Sequence, residues 1–569
     1  MRAISLRIAS VLGSVLILTM VVLAQKDDKD KVVAPPLISQ PGKSGGQITL
    51  ASTTPISSLN PFVNPEADEF NPLFLATLLE HNPVTGQLEP GLAKEFKVSE
   101  DSKQLILTLR DTKFSDGAPF TADDVLFTLN DVLLNERVKT EILEFLRATF
   151  LKIQGQFFIQ SVVKLDERTV RFSFSVPMPS LFLDSLAQLP ILPKHKLAGK
   201  DFIRAWVVGA KPEEFAGLGP FKVTELKRDN IKFARNEFYW KMDPKGTRLP
   251  YVDRVSWQLV KSEELLKLFQ EGKIDILIPT DPTALPTSAK LIVDGPMERV
   301  NYLALNQDVP DPEKRAIFRD VRLRKALAHA GDRAAIAKQV AGGFGVTRDG
   351  FIHPLSPYAD EAVKYEFDLK RAAALLDELG LKDKNGDGVR ELPSGKELKL
   401  EFLLVDTPVS VAQGRLYQEN LGRIGIKVEL KAVSSGEFQR RTLDARPPQY
   451  EAALASTFIN MRVPFMISDL TKLFKSDGWL HFYRFSDAKA KKEELSEAQR
   501  RIDEILTQLP SSTSAKALFS ELQKILSEDL PLIPLYSRQF LVLLQPAIKN
   551  GEQLNAFGIP YFIEVLWRE

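Results

Sequence analysis

The chain has 569 residues, 44% of them hydrophobic and 26% charged, with a formal net charge of +1. Single cores stop growing at about 250–300 residues, so this length predicts several domains, and the near-neutral charge offers no basic field to attract nucleic acid. There is no cysteine, which excludes disulfides, thiolate nucleophiles, Cys-based zinc sites and iron–sulfur clusters.

At the start, Arg2 and Arg7 precede an uncharged run from Ile8 to Ala24. A positive n-region, an apolar stretch and small residues at the boundary describe a secretory signal over residues 1–24, with an uncleaved anchor as the alternative. Both place the remainder outside the cytoplasm. Residues 25–45 carry KDDKDK, Pro35-Pro36 and a Gly-rich end, a linker composition that cannot bury a core. From 46 onward strands and helices alternate, which predicts an α/β architecture.

Gln104 to Arg110 aligns Leu105, Leu107 and Leu109 on one face and reads as a strand. Thr121 caps a helix, with Asp124 three residues on and Val125, Leu126, Leu129, Val132 and Leu133 as its buried stripe. Thr169 to Val176 alternates Val170, Phe172, Phe174 and Val176 as a second strand. Glu264 to Gln270 is helical, Gly272 breaks it, and Ile274 to Ile278 is a short buried strand. Arg322, Arg324 and Lys325 read as a solvated helix face. Asp368 caps a helix running through Leu375 and Leu376 to a stop at Gly380. Ala515 to Ser527 is an amphipathic helix, followed by the apolar run LPLIPLY at 530–536.

Motifs for chemistry are few. The histidines at 81, 195, 329, 353 and 481 lack HxxxH or HExxH spacing, so no metal site is expected from them, although His353 and His481 lie in segments expected near a cleft. Asp383, Asn385 and Asp387-Gly388 imitate the start of a calcium loop, but the twelfth position is Ser394 in place of the closing Glu, and the string reads as a surface turn. Gly42-Lys43-Ser44 lacks the upstream glycine of a phosphate loop, and G-x-S-x-G is absent. No carboxylate pair stands out for hydrolysis. No catalytic residue or cofactor is assigned.

The block from Leu78 to Asp131, with Gly86, Pro90, Leu92-Ala93, Phe114-Ser115-Asp116-Gly117 and Thr121 to Val125, resembles large extracytoplasmic solute-binding proteins of the peptide and nickel type, family 5. Collinear matches follow at GLGPF 217–221, RNEFYW 235–240, EGKIDIL 271–277, LALNQ 303–307, DLKRAAALLDELG 368–380 and EDLPLIPLY 528–536. The resemblance implies a two-lobed periplasmic-binding-protein-like fold of type II, in its large form with an extra inserted domain and a hinge between lobes. Lobe I would comprise 46–77, 185–297 and 532–569, the inserted domain 78–184, and lobe II 298–531. It implies a non-enzymatic, monomeric importer component that closes on a short peptide or similar solute and delivers it to a membrane permease. Alternatives are a ligand-sensing or chaperone-like receptor of the same fold, or a sugar or nickel-complex binder.

Positional correspondence marks Thr53, Thr54, His81, Asn306, Gln307, Phe344, Phe458, Asn460, Trp479 and Phe482 as ligand-binding candidates, polar groups to orient and aromatics to cover. Peptide-binding relatives hold the peptide amine with an acid in a stretch corresponding to Tyr450–Asn460. Here that stretch offers Ser456, Thr457 and Asn460 instead, and Val463-Pro464 stands where the family has Asp-Pro. An ammonium buried without a counter-charge is costly, so the departure favours a neutral ligand such as a sugar.

Overall fold

The computed structural model describes residues 38, 40–153, 155–279, 285–340, 342–445, 447–463, 465–481, 483 and 495–569. The leader at 1–24, most of the linker and Phe482 lie outside the described residues. No helix among the described residues is long and apolar enough to cross a membrane.

Lobe I is built on a four-stranded sheet in the order Gln47–Ser52, Arg254–Leu259, Asn230–Arg235, Phe221–Leu226. The first pair is parallel and the others antiparallel. Ile48 and Leu50 point from the first strand into the core, as period-2 alternation requires. A second, wholly antiparallel sheet follows the order Ala93–Val98, Gln104–Leu109, Thr169–Phe174, Ile159–Asp166. Leu105, Leu107, Val170, Phe172 and Phe174 are buried on one face. Their core is continuous with that of lobe I, through Phe182, Phe74 and Trp206.

The helix at Ala122–Leu126 begins as its sequence dictates. The Thr121 hydroxyl accepts from the Asp123 N–H, and the Thr121 N–H donates to Asp124 Oδ2 at 2.9 Å, closing a capping box. The segment Phe127–Leu133 then widens into a π-helical turn that keeps Leu129, Val132 and Leu133 buried.

Lobe II centres on the strands Arg299–Leu305, Ala452–Phe458, Lys399–Val405 and Lys427–Val433, in that order. The last two are parallel neighbours joined by the helix Pro408–Gly422, because a parallel pair needs a crossover. Both faces of the sheet are covered. Leu303, Leu400 and Phe402 pack on one side, Tyr302, Leu403 and Ala453 on the other.

One strand links the lobes. Leu532–Leu544 pairs by its first half with Arg299–Leu305 and by its second with Lys290–Pro296, and its last residues meet Ile276–Leu277. The chain therefore crosses between lobes twice, at Lys290–Leu305 and again along this strand. The division expected between 531 and 532 falls at the start of a strand whose first residues complete the lobe II sheet.

Two sequence expectations are corrected. Arg324 does not belong to a solvated face. It is only 2% exposed, and its guanidinium donates to Asp529 Oδ1 at 2.9 Å and to the carbonyls of Asp529, Phe318 and Arg319. Helical position alone gave no sign that three carbonyls converge there. The strand expected over Ile274 to Ile278 is paired only at Ile276–Leu277. From Leu532 the apolar run at 530–536 enters a 13-residue strand.

Candidate ligand site between the lobes

The lobes touch along one edge. The Phe145 ring stacks on Phe465 at 5.8 Å between centroids, and Ser180 Oγ donates to the Ser512 carbonyl and accepts from the Ala515 N–H. Gly86 faces the Leu355 carbonyl so closely that a Cβ would lie 2.2 Å from its oxygen, and its φ of +69° also favours glycine. Asp184, on the helix Phe182–Leu186, joins three elements. Its Oδ1 lies 3.0 Å from His81 Nε2, and its Oδ2 accepts from the Tyr358 hydroxyl of lobe II at 2.8 Å. These contacts fasten the segment 78–184 to lobe II.

Where the sheet of lobe II meets the crossing strand, charged groups gather from four distant segments. The Ile459 N–H donates to the Glu298 carbonyl and the Met461 N–H to Glu298 Oε1 at 2.8 Å. Asn460 caps this turn, donating its N–H to Asp469 Oδ2 and accepting from the Arg462 N–H. The Arg462 guanidinium reaches across to the Tyr561 hydroxyl of the C-terminal segment and lies 5.3 Å from its ring centroid. Burial opposes the Arg462 charge, yet Tyr561, Asp68 and Glu298 outweigh it and hold the guanidinium above its ordinary pKa.

A further acid comes from lobe I, where Asp68 lies near enough to act on the Arg462 charge. Asp68 and Glu69 lie on the one-turn helix Pro65–Glu69 of lobe I. Glu69 is an exposed residue, yet protein surrounds its carboxyl closely enough that desolvation pushes it up to about 7. It has no ion-pair partner among the described residues. Desolvation also raises Glu298, against the opposing pull of the Met461 N–H and Arg462. The arrangement suits a solute that brings a cation for the acids and an anion or dipole for the guanidinium.

Of the residues marked from sequence, Asn460 is the one inside this cluster. Thr53 and Thr54 are exposed at the end of the first strand. His81 is engaged with Asp184. The Asn306 side chain is fully buried, donating to the Pro448 and Tyr450 carbonyls, so it fastens a loop and offers no surface to a ligand. Gln307 is buried beside it, its N–H on the Tyr483 carbonyl. Phe344 is half-buried, and its carbonyl accepts from the Gln539 N–H. Phe458 is 46% exposed at the end of its strand, opposite Arg299, and Trp479 is 63% exposed. His353, expected near the cleft, is only 1% exposed: its Nε2–H donates to the Pro296 carbonyl and its Nδ1 accepts from the Leu355 N–H.

Sequence reasoning missed Asp68, Glu69, Glu298, Arg462 and Tyr561. One signal was available. The stretch corresponding to the family's charged anchor ends at Asn460, whereas Arg462 stands two residues on, just before Val463-Pro464.

The chain has curated relatives along most of its length. The "Probable ABC transporter-binding protein" of Deinococcus radiodurans is 25% identical over 452 residues, 72% of this chain and 74% of the relative. The "Periplasmic alpha-galactoside-binding protein" of Rhizobium meliloti is 26% identical over 66% of this chain and 56% of its own length. The "Oligopeptide-binding protein AppA" of Bacillus subtilis is 28% identical over 64% of this chain and 62% of its own. The chain thus spans about three fifths of the length of the latter two. Among solved structures, an oligopeptide-binding protein OppA superposes with a TM-score of 0.74 at 21% identity, covering 97% of this chain and 96% of that one, a likeness of fold. The model for bacterial extracellular solute-binding proteins, family 5, matches residues 87–471, and the chain belongs to that family.

Proposed function

We propose that this protein is the extracytoplasmic solute-binding component of an ATP-driven importer, that it acts without covalent chemistry, and that its solute is a short peptide. The observation that carries the peptide reading is the acidic pair Asp68 and Glu69 on the helix Pro65–Glu69, with Asp68 acting on the Arg462 charge and Glu69 without an ion-pair partner among the described residues. Ligand contacts to both walls exist only in the closed form, so binding stabilises closure, and release to a permease follows reopening. The chain works as a monomer, either free after removal of residues 1–24 or tethered by them.

The acids supply the counter-charge for an amine that the strand Ala452–Phe458 lacks. An ammonium beside Glu69 favours its ionised form, so peptide affinity is full above pH 7 and falls as the pH drops below it. Thermal-shift titration of the purified protein with short peptides, stachyose and nickel discriminates the solutes. The expected result is stabilisation by a peptide that weakens between pH 8 and 6 and is lost in Glu69→Gln. Stabilisation by none of the peptides would refute this reading. An α-galactoside is the second reading, favoured by the exposed Phe458 ring beside Asn460, and a response to stachyose that is unaffected by Glu69→Gln would establish it.

A further inference from the structure

Lobe II carries a loop between the helix Leu369–Glu378 and the strand Lys399–Val405. Its sequence is DKNGDGVRE, residues 383–391. Asp383 folds it, with Oδ1 accepting from the Gly386 N–H at 2.7 Å and Oδ2 from the Gly388 N–H at 2.8 Å. Asp387 Oδ1 accepts from the Val389 N–H at 2.8 Å. One carboxylate oxygen from each of Asp383, Asp387 and Glu391 lies within 4.8 Å of the other two.

Acidic loops of this kind are common without a metal. What sets this one apart is Glu391. It is only 3% exposed, and while its Oε2 accepts from the Lys384 N–H at 2.8 Å, its Oε1 is buried with no hydrogen-bond partner among the described residues. A buried carboxylate oxygen that neither water nor a donor reaches is costly, and a cation within the cluster removes that cost. Arg390 does not serve, because its guanidinium is turned to Asp377 and the Ile424 carbonyl.

We infer that Asp383, Asp387 and Glu391 form a calcium site. The donors are all hard oxygens, and three carboxylates balance a divalent charge in excess. The pattern D-x-N-x-D-G sets the loop's first, third and fifth positions, and Val389 occupies the seventh, where such loops offer a backbone carbonyl. The sequence expectation looked for a closing acid at the twelfth position and met Ser394. The fold brings the acid in at the ninth, because the Glu391 backbone is bridged to Lys382 and Glu397, which folds its side chain back under the loop. Ser394 is engaged elsewhere, with its N–H and hydroxyl on Glu313. Calcium here fastens the joint between a helix and a central strand of lobe II, independently of the solute.

The test uses the full chain, stripped with a chelator and titrated calorimetrically with CaCl2 and, separately, MgCl2. The expected result is one calcium per chain, with a melting temperature that climbs with calcium concentration and a weaker response to magnesium. Glu391→Gln and Asp387→Asn each lower calcium affinity by about tenfold or more, since ligand charge tunes such sites. Both should keep the wild-type far-UV circular dichroism without calcium. Glu397→Gln, which removes an exposed acid paired with Lys427, should bind calcium as the wild type does. Absence of binding heat and of thermal stabilisation at about 5 mM calcium, a level sufficient even for weak extracellular sites, overturns the inference. So does Glu391→Gln binding calcium as tightly as the wild type.

Discussion

Acidification should act on the join between the lobes through His353. This imidazole is buried, and its two partners fix it in one neutral tautomer, with Nε2–H toward the Pro296 carbonyl and Nδ1 toward the Leu355 N–H. A second proton on Nδ1 would face an N–H. Burial, with a smaller contribution from the Arg348 guanidinium, lowers its pKa from 6.5 to about 4. At 1.36 kcal/mol per unit, that shift favours the neutral folded form by about 3 kcal/mol. The unfolded chain takes up the proton near 6.5 and the folded chain near 4. The stabilisation is therefore complete above 6.5 and is lost as the pH falls from there to 4. Histidine labelled with 15N gives five imidazoles to follow, and His353→Gln identifies which is His353. That imidazole should stay neutral until about pH 4. Denaturant unfolding supplies the energetic side: between pH 7.5 and 5 the wild type should lose about 2 kcal/mol more than His353→Gln. Titration of the assigned resonance between pH 6 and 7 would refute the reasoning.

Two other substitutions probe the clamp and its scaffold. Tyr358→Phe removes the hydroxyl that binds Asp184 across the lobes, a hydrogen bond to a charged acceptor worth about 1.5–3 kcal/mol. The closed form should become about ten- to a hundredfold less favoured, seen as a larger radius of gyration in X-ray scattering and weaker solute binding, and unchanged scattering and affinity would remove the clasp role. Gly217→Ala places a Cβ 1.7 Å from the Phe74 carbonyl oxygen, a backbone clash that should cost about 3 kcal/mol and lower the melting temperature. An unaltered melting curve would contradict the packing described.

Local devices were legible because their causes are local. Thr121 and Asp368 cap the helices expected of them, and Gly86, Gly117 and Gly380 take the positive φ that their turns require. The strands Gln104–Leu109 and Thr169–Phe174 end within two residues of the expected bounds, since their alternation sets one buried face. The proposed ligand site was far less legible. Its groups come from residues 68–69, 298, 462 and 561, and no spacing in the chain announces that they meet. Arg324 misled for the same reason, its carbonyl partners Phe318 and Arg319 lying nearby in sequence but Asp529 more than 200 residues away. In the proposed calcium site the motif points to the twelfth position for the closing acid, whereas backbone bridges bring in Glu391 from the ninth.

The strand Leu532–Leu544 couples the mechanics of the two lobes to their folding. It is one ribbon hydrogen-bonded into both sheets, so domain rotation has to be taken up as torsion along a ladder rather than as free swinging of a loose connector. The ladder yields most readily at its irregularities, between Asp294 and Pro296 and between Asn301 and Tyr302, where the register slips. Unravelling either lobe strips an edge from the other, which ties their melting together.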